Sequence, residues 1–340
     1  MEQTVKVAVY GVTGYTGLEL LRALLLHPVF EVTALVSSSH AGKTLKEVFP
    51  FFGPTYLADF PLTEEPREEF ELAFLCLPHE VSLELVPKLL EEGKRVVDLS
   101  AAYRLKDASL YPEYYGFTHP YPELLSQAVY GLPELYREQI KDARLVANPG
   151  CYPTAALLAL APLAKEGLLN EPPAVVGLSG VSGAGRKPRQ EYHFPEMAQD
   201  FFPYAVEKHR HVPEMEQVLS ELSGGALNLR FTPTVLPSSR GMVCIAHARI
   251  PKVELRELYE AFYDGEPFVS VVNEPPHAKW AAGTNHCFIY PHYDGRSSTA
   301  VVISAIDNLG KGASLQALQN ANVMFNLDED EGLYQTPCVP

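Results

Sequence analysis

The chain has 340 residues, 46% of them hydrophobic and 20% charged, and a formal net charge of −15. Those proportions mark a globular protein and exclude disordered and fibrous ones, and the length predicts two domains of roughly 150 residues each. The acidic balance repels nucleic acid and anionic membranes, and no apolar run reaches the ~20 residues that a membrane span needs.

The opening residues lack the layout of a signal peptide, so the expected location is the cytoplasm. Val5–Tyr10 reads as a buried strand, followed by a glycine-rich turn, a helix near Thr16–Leu26 and a strand over Glu31–Val36. Glu71–Cys76, Arg95–Leu99 and Arg144–Asn148 read as further short buried strands, with a helical pattern over Val81–Glu92. Near-continuous apolar strands alternating with helices predict a parallel sheet covered on both faces, a doubly wound α/β domain.

After about residue 150 the rhythm changes. A helix follows Cys151; Ala174–Ser179, Leu227–Val235 and Met242–Ile250 read as strands, and Lys252–Tyr263 as a helix. His286–His292 and Ser298–Ala305 flank Tyr293-Asp-Gly-Arg296, a hairpin signal. This half is expected to be an α+β domain with a mostly antiparallel sheet. A last helix near Leu309–Phe325 carries Ala313, Ala317 and Ala321 on one small face, and the tail from Asp328 to Pro340 is expected to be loosely ordered.

The turn Gly11-Val-Thr-Gly14-Tyr-Thr-Gly17 lies between the first strand and the first helix. Glycine lets backbone approach a pyrophosphate, and the helix start offers free N–H groups and a positive dipole end. Its spacing is GxxGxxG rather than GxGxxG, so the strand–turn–helix setting carries the reading. The acidic residue that usually binds the ribose 2′-hydroxyl is missing from the exit of the second strand, where Ser37, Ser38, Ser39 and His40 stand, with Lys43 nearby. Hydroxyls and a base without a carboxylate favour NADP over NAD.

Five cysteines, Cys76, Cys151, Cys244, Cys287 and Cys338, are odd in number, scattered and without CxxC spacing. That argues against a disulfide framework and against a zinc site, and no metal is expected. Cys151 stands apart in Asn148-Pro-Gly-Cys-Tyr-Pro-Thr, where Pro153 fits the first position of a helix. A cysteine at such a start has a thiol whose pKa falls from about 8.5 toward roughly 3.5–7.5. A thiol nucleophile needs a base in reach, and Lys208-His209-Arg210-His211-Val-Pro-Glu214 offers two imidazoles, two cations and a carboxylate. Ser179-Gly-Val-Ser-Gly-Ala-Gly-Arg-Lys187 combines backbone N–H groups, hydroxyls and cations suited to phosphate. Arg104, in Asp98-Leu-Ser-Ala-Ala-Tyr-Arg104 at the end of another strand, is a candidate carboxylate clamp.

Val146-Ala-Asn-Pro-Gly-Cys-Tyr-Pro through Pro162 resembles the active-site signature of the N-acetyl-gamma-glutamyl-phosphate reductases, type 1, within the semialdehyde-dehydrogenase-like superfamily. Gly11–Gly17, Leu77-Pro-His-Glu80, Asp98–Arg104, Tyr130-Gly-Leu-Pro-Glu134, Ser179–Arg186, His209–Glu214 and Ile306–Gly312 resemble the same family in the same order, so the likeness spans almost the whole chain.

The resemblance implies NADPH-dependent reduction of an acyl phosphate to an aldehyde, with release of phosphate, through a thioester on Cys151, in arginine biosynthesis. It places the acid/base in the pair His209 and His211, with His211 favoured because Glu214 stands three residues on. Arg104, Arg210, Tyr204 and Lys208 would hold carboxylate or phosphate. Cofactor contacts carry over to Gly11, Thr13, Gly14, Tyr15, Thr16, Gly17, Ser37, Ser38, Ser39, Pro78, His79, Ser182 and Asn308. The resemblance makes the nucleotide-binding domain discontinuous, 1–148 with 308–340 around a catalytic domain 149–307, and implies a homo-oligomer, dimer or tetramer. Two rival readings are a reductase of a carrier-protein-linked aminoadipyl phosphate in lysine biosynthesis and a cysteine acyltransferase or hydrolase.

Overall fold

The computed structural model describes residues 4–333, 336 and 337. The described residues form two compact units: one runs to Lys106 and takes in Pro120–Asn148 and 314–333, and the other comprises Asp107–His119, Pro149–Ala313 and 336–337.

The first unit holds β1 (Val5–Tyr10), α1 (Tyr15–Leu24), β2 (Phe30–Val36), β3 (Leu62–Thr63), β4 (Leu72–Leu75), α2 (His79–Glu91), β5 (Arg95–Asp98), β6 (Val129–Tyr130), α3 (Pro133–Lys141) and β7 (Leu145–Ala147). Its seven strands lie in the order β3-β2-β1-β4-β5-β7-β6, and every pairing is parallel. β1 and β4 are buried almost throughout, as strands covered on both faces must be. The strand order reverses at β1, and the turn after β1 therefore opens at the crevice where doubly wound sheets take ligands.

The second unit holds α4 (Cys151–Lys165), β8 (Ala174–Gly180), β9 (Phe202–Pro203), α5 (Val212–Ser223), β10 (Arg230–Leu236), β11 (Met242–Arg249), α6 (Leu255–Phe262), β12 (Val269–Val271), β13 (Cys287–Asp294) and β14 (Thr299–Ile306). Its sheet has the order β12-β13-β14-β11-β8-β10-β9, with β8·β10 and β12·β13 parallel and the other pairs antiparallel. The mixed, mostly antiparallel sheet expected for this half is what forms. α4 is buried from Tyr152 to Ala164, which matches a sequence apolar on every side. It packs on β11 and β14, where the Ser304 hydroxyl donates to the Ala155 carbonyl at 2.8 Å.

Three local readings are corrected. The β13–β14 hairpin does not turn on Asp-Gly alone: Asp294 pairs with Thr299, leaving residues 295–298 as the loop. Asp294 caps that loop by accepting the Arg296 N–H and the Ser297 hydroxyl, and Ser298 takes the positive φ of 52°. Regular helix near the C-terminus, α7, begins at Leu315 rather than Leu309 and ends at Met324, after a wide π-turn over Gly310–Ser314. α7 is buried on all sides, with Gln316, Gln319, Asn320 and Asn322 inside the first unit alongside the alanines. The start of the tail is not loose either: Asn322 donates to the carbonyls of Glu329 and Glu331, and Gln319 to the Glu329 carboxylate. The rest of the expected loose tail lies largely outside the described residues, Cys338 among them, as do Met1–Gln3 of the leader reading.

Candidate active site

In the first unit, Gly11 has a φ of 72°, and a side chain there would meet the Cys76 carbonyl 2.1 Å away. A Cβ on Gly17 would fall 2.6 Å from the backbone of Gly11 and Val12. Those two glycines answer to the protein's own packing. Gly14, the N-cap of α1, differs: a Cβ there would meet only the Gly11 carbonyl, at 3.5 Å, so this glycine faces open space. A cavity of about 710 Å³ in the same unit is lined by Gly11, Thr13, Ser37, Ser38, Ser39 and Arg67, and also by Glu64, Glu65, Glu68 and Glu69. Thr13 and Ser37 lie in hydrogen-bond range at 3.3 Å, and Ser37 and Ser39 at 3.4 Å. Lys43 is not part of that lining; its cations are Arg67, Lys88 and Lys94. Tyr15 and Thr16 open α1, and Pro78 and His79 open α2, where His79 lies 3.3 Å from Glu80.

Arg104 is buried in the same unit, its Nε donating to the Asn148 carbonyl and an Nη to the Leu99 carbonyl, each at 2.8 Å. Those two donors tie the ends of β5 and β7 together. Asp98 beside them accepts the N–H and hydroxyl of Ser100, and burial pushes its carboxyl up against the pull of those bonds.

In the second unit, Gly150 caps α4 and Cys151 is its first residue, so Pro153 stands third rather than first. The first turn has no intrahelical use for its N–H groups, so the proline still costs nothing there. The Gly150 N–H donates to Oε1 of the fully buried Glu214 at 2.8 Å. Behind the cysteine, a Cβ on Gly312 would fall 2.8 Å from the Cys151 Cβ and 3.2 Å from the Asp307 carbonyl, so the π-turn needs a glycine there. Cys151 and Cys76 are both half-buried and Cys244 is buried; desolvation pushes the Cys76 thiol up to about 12 and the Cys244 thiol higher still.

A cavity of about 360 Å³ brings Cys151 together with Tyr204, Lys208, His209, Arg210 and His211, and adds Tyr114, Arg189 and Tyr192, which sequence reasoning missed. The His209 ring meets His211 edge-on at 4.8 Å and Tyr152 at 5.8 Å. Its Nδ1 accepts the His211 N–H at 3.1 Å, which leaves the proton of the neutral ring on Nε2. Burial, helped by the Arg210 charge, lowers the His209 pKa to about 4, so the ring is neutral at physiological pH. Burial pushes the Tyr204 hydroxyl up to about 12. Residues 107–119 brace this wall: the Tyr115 hydroxyl donates to the Arg210 carbonyl, and Lys208 lies 3.4 Å from Glu113 and over the Tyr114 ring.

The Ser179–Lys187 loop departs from its expectation. The N–H groups of Gly180, Val181 and Ser182 are spent on the carbonyls of Gly241, Ser238 and Ser239, so only part of the loop's backbone is open to an anion. Asn308 and Ser182 meet within the second unit, where the Asn308 amide donates to the Ser182 hydroxyl at 2.9 Å and its oxygen accepts the Gly241 N–H.

A parallel sheet with a glycine turn at its switch point, and in the second unit a cysteine heading a buried helix in one cavity with two imidazoles, are the parts of a dehydrogenase-class oxidoreductase. The family model "Semialdehyde dehydrogenase, NAD binding domain" matches residues 6–143, and "Semialdehyde dehydrogenase, dimerisation domain" matches residues 151–308. The chain belongs to the semialdehyde dehydrogenase family, in its N-acetyl-gamma-glutamyl-phosphate reductase branch. It is 60% identical to the N-acetyl-gamma-glutamyl-phosphate reductase of Aquifex aeolicus over the full length of both, and 48% identical to that of Dehalococcoides mccartyi over 98% of this chain and 99% of the other. Among solved structures, aspartate semialdehyde dehydrogenase II of Vibrio cholerae shares the fold at a TM-score of 0.72, with 19% identity over 96% of this chain and 99% of that one. The Candida albicans enzyme does so at 0.72, with 16% identity over 95% and 99%.

Proposed function

We propose that this chain reduces N-acetyl-glutamyl 5-phosphate to N-acetyl-glutamate 5-semialdehyde with NADPH, releasing phosphate, as a step of arginine biosynthesis in the cytoplasm. The observation that carries the reading is Cys151 at the first position of α4, in one cavity with His209 and His211. The substrate follows the full-length relatives at 60% and 48% identity. A free thiol as nucleophile fits a reducing compartment.

The Cys151 proton passes to His211, and the thiolate forms an S–C bond with the acyl carbon as the C–O bond to phosphate breaks. The phosphate leaves with one solvent proton, toward Lys208 and Arg210. Bound NADPH supplies the hydride that converts the thioester to a thiohemiacetal. His211 gives its proton to the oxyanion, then takes back the hydroxyl proton and returns it to sulfur as the S–C bond breaks and the aldehyde departs. One proton is consumed overall. His211 suits the base role better than His209, whose unprotonated nitrogen is already occupied. Glu214 holds the Gly150 backbone and with it the entry to α4.

Support for the cofactor in the first unit comes from the open space at Gly14, which caps α1, and from a cavity lined by Gly11 and the hydroxyls of Thr13 and Ser37–Ser39. Support for the 2′-phosphate comes from serines where NAD enzymes keep a carboxylate, in a cavity whose lining also includes Arg67, Lys88 and Lys94. Homo-oligomerisation follows the dimerisation-domain match, and the second unit's sheet supplies the surface.

The test is the reverse reaction: aldehyde, phosphate and NADP or NAD, followed as reduced cofactor absorbance. Turnover is expected with N-acetyl-glutamate semialdehyde, dependent on phosphate and faster with NADP. Cys151→Ala is expected to abolish it while cofactor binding persists. Activity only with an aminoadipate-series aldehyde, or esterase activity without cofactor binding, would overturn the reading.

A further inference from the structure

We infer that Arg189 is the residue that selects the substrate by its α-carboxylate, the end remote from the acyl phosphate. The inference rests on the substrate class proposed above and goes further by naming the group that recognises its second anion.

The cavity around Cys151 is lined by Arg189, Lys208 and Arg210 and by no carboxylate, in a chain whose net charge is −15. Lys208 has Glu113 3.4 Å away, but Arg189 and Arg210 still leave this space positive in an acidic protein, which suits a ligand with more than one anionic group. An acyl phosphate supplies one such group at the reacting carbon. Lys208 and Arg210 adjoin His209 and His211 in sequence, and the proposed mechanism uses them for that group. Arg189 comes from a different segment.

Arg189 is exposed, and a few contacts of its segment orient it. The Tyr192 N–H donates to the Arg189 carbonyl at 3.1 Å, closing a tight turn over residues 189–192. The turn sets the guanidinium over the Tyr192 ring, 5.9 Å from its centroid. Tyr192 lies parallel to Phe202, with centroids 6.4 Å apart and planes 7° from one another. Phe202 in turn pairs with Val235 of the sheet, and Val235 lines the same cavity. Among the described residues the guanidinium has no carboxylate within ion-pair range. A stacked guanidinium keeps its N–H edge outward, and its planar fork matches a carboxylate with two parallel bonds. Four bonds separate the acyl carbon from the carboxylate carbon, roughly 5 Å when extended, a span that a cavity of 360 Å³ accommodates.

The test uses the full-length enzyme in the reverse direction, with the Michaelis constants for aldehyde and phosphate measured separately. Arg189→Ala is expected to raise the aldehyde KM at least tenfold, with phosphate KM within twofold and kcat within threefold. Arg189→Lys should recover only part of the loss, because a lysine cannot form the fork. With 4-acetamidobutanal, which lacks the α-carboxylate, the native enzyme should show the same high KM, and Arg189→Ala should add little to it. A rise in phosphate KM would move Arg189 to the phosphate, an equal loss with both aldehydes would make its role non-specific, and an unchanged aldehyde KM would remove it from recognition; each overturns the inference. Absence of turnover by the native enzyme would instead overturn the substrate proposal, so the two failures are distinguishable.

Discussion

His209 gives the folding of this chain a pH dependence. Its pKa is about 4 in the folded chain, chiefly through burial, against 6.5 for an unperturbed imidazole. The unfolded chain therefore binds a proton first as pH falls. Stability from this group is whole above pH 6.5, declines through the interval below it and is gone beneath about 4. The full loss is about 3 kcal/mol, with about 2 kcal/mol of it gone by pH 5. His27 adds to the same slope: burial lowers its pKa, and its Nδ1 accepts the N–H groups of Val29 and Phe30, which a protonated ring would lose. His209→Asn keeps an acceptor for the His211 N–H and removes the titration. Urea unfolding at pH 7 and pH 5 should show a smaller drop for the variant than for the native chain, by about 2 kcal/mol. Parallel drops would mean that the imidazole is not what couples protons to folding.

Two helices of this chain run through a proline, and in both a distant tyrosine supplies the hydrogen bond that the proline cannot. Pro162 in α4 leaves the Leu158 carbonyl without its helical donor, and the Tyr263 hydroxyl donates there instead. Pro87 in α2 does the same to the Leu83 carbonyl, which receives the Tyr103 hydroxyl at 3.0 Å. Tyr263→Phe should cost about 1–3 kcal/mol, the cost of a buried carbonyl left without a donor, read as a lower urea midpoint with an unchanged slope. A smaller loss would mean that another group reaches Leu158. No local pattern foretells such pairings, because the hydroxyl and the carbonyl stand 105 residues apart for α4 and 20 for α2. The same physics sets what was legible elsewhere. β1, β5 and β14 show in the sequence as apolar runs long enough to be recognised, while Leu62–Thr63, Val129–Tyr130 and Phe202–Pro203 are too short for any period. Cys151, His209 and His211 were legible because each sits beside a proline-marked helix start. Tyr114 was not, because residues 107–119 join the second unit from between strands of the first unit's sheet. Arg189 follows Arg186 and Lys187 closely, and that run of cations was the signal that could have found it.

At the scale of the assembled molecule, the second unit's sheet has one face under α4 and one face that nothing in the unit covers fully. Alternation along the strands sends Cys244, Ser304 and Ile289 to the buried face. Their neighbours form rows across four strands on the other: Val176, Ile245, Ile303 and Tyr290 are in register, as are Leu178, Val243, Ala305 and Phe288. Apart from Ala305, each of these side chains is only half-buried. A contiguous, half-exposed apolar surface on a regular sheet is unfavourable in water and marks an interface. A twofold partner meets the same patch on itself, so a charge placed at its centre faces its own copy. Ile303→Arg should therefore convert the oligomer to monomer in sedimentation equilibrium at micromolar concentration, while Ile303→Val leaves assembly intact. Far-UV circular dichroism of the arginine variant should match the native chain, since the substitution points away from α4. If that variant stays associated and folded, the interface lies on another surface of the chain, and the half-exposed rows require a different covering.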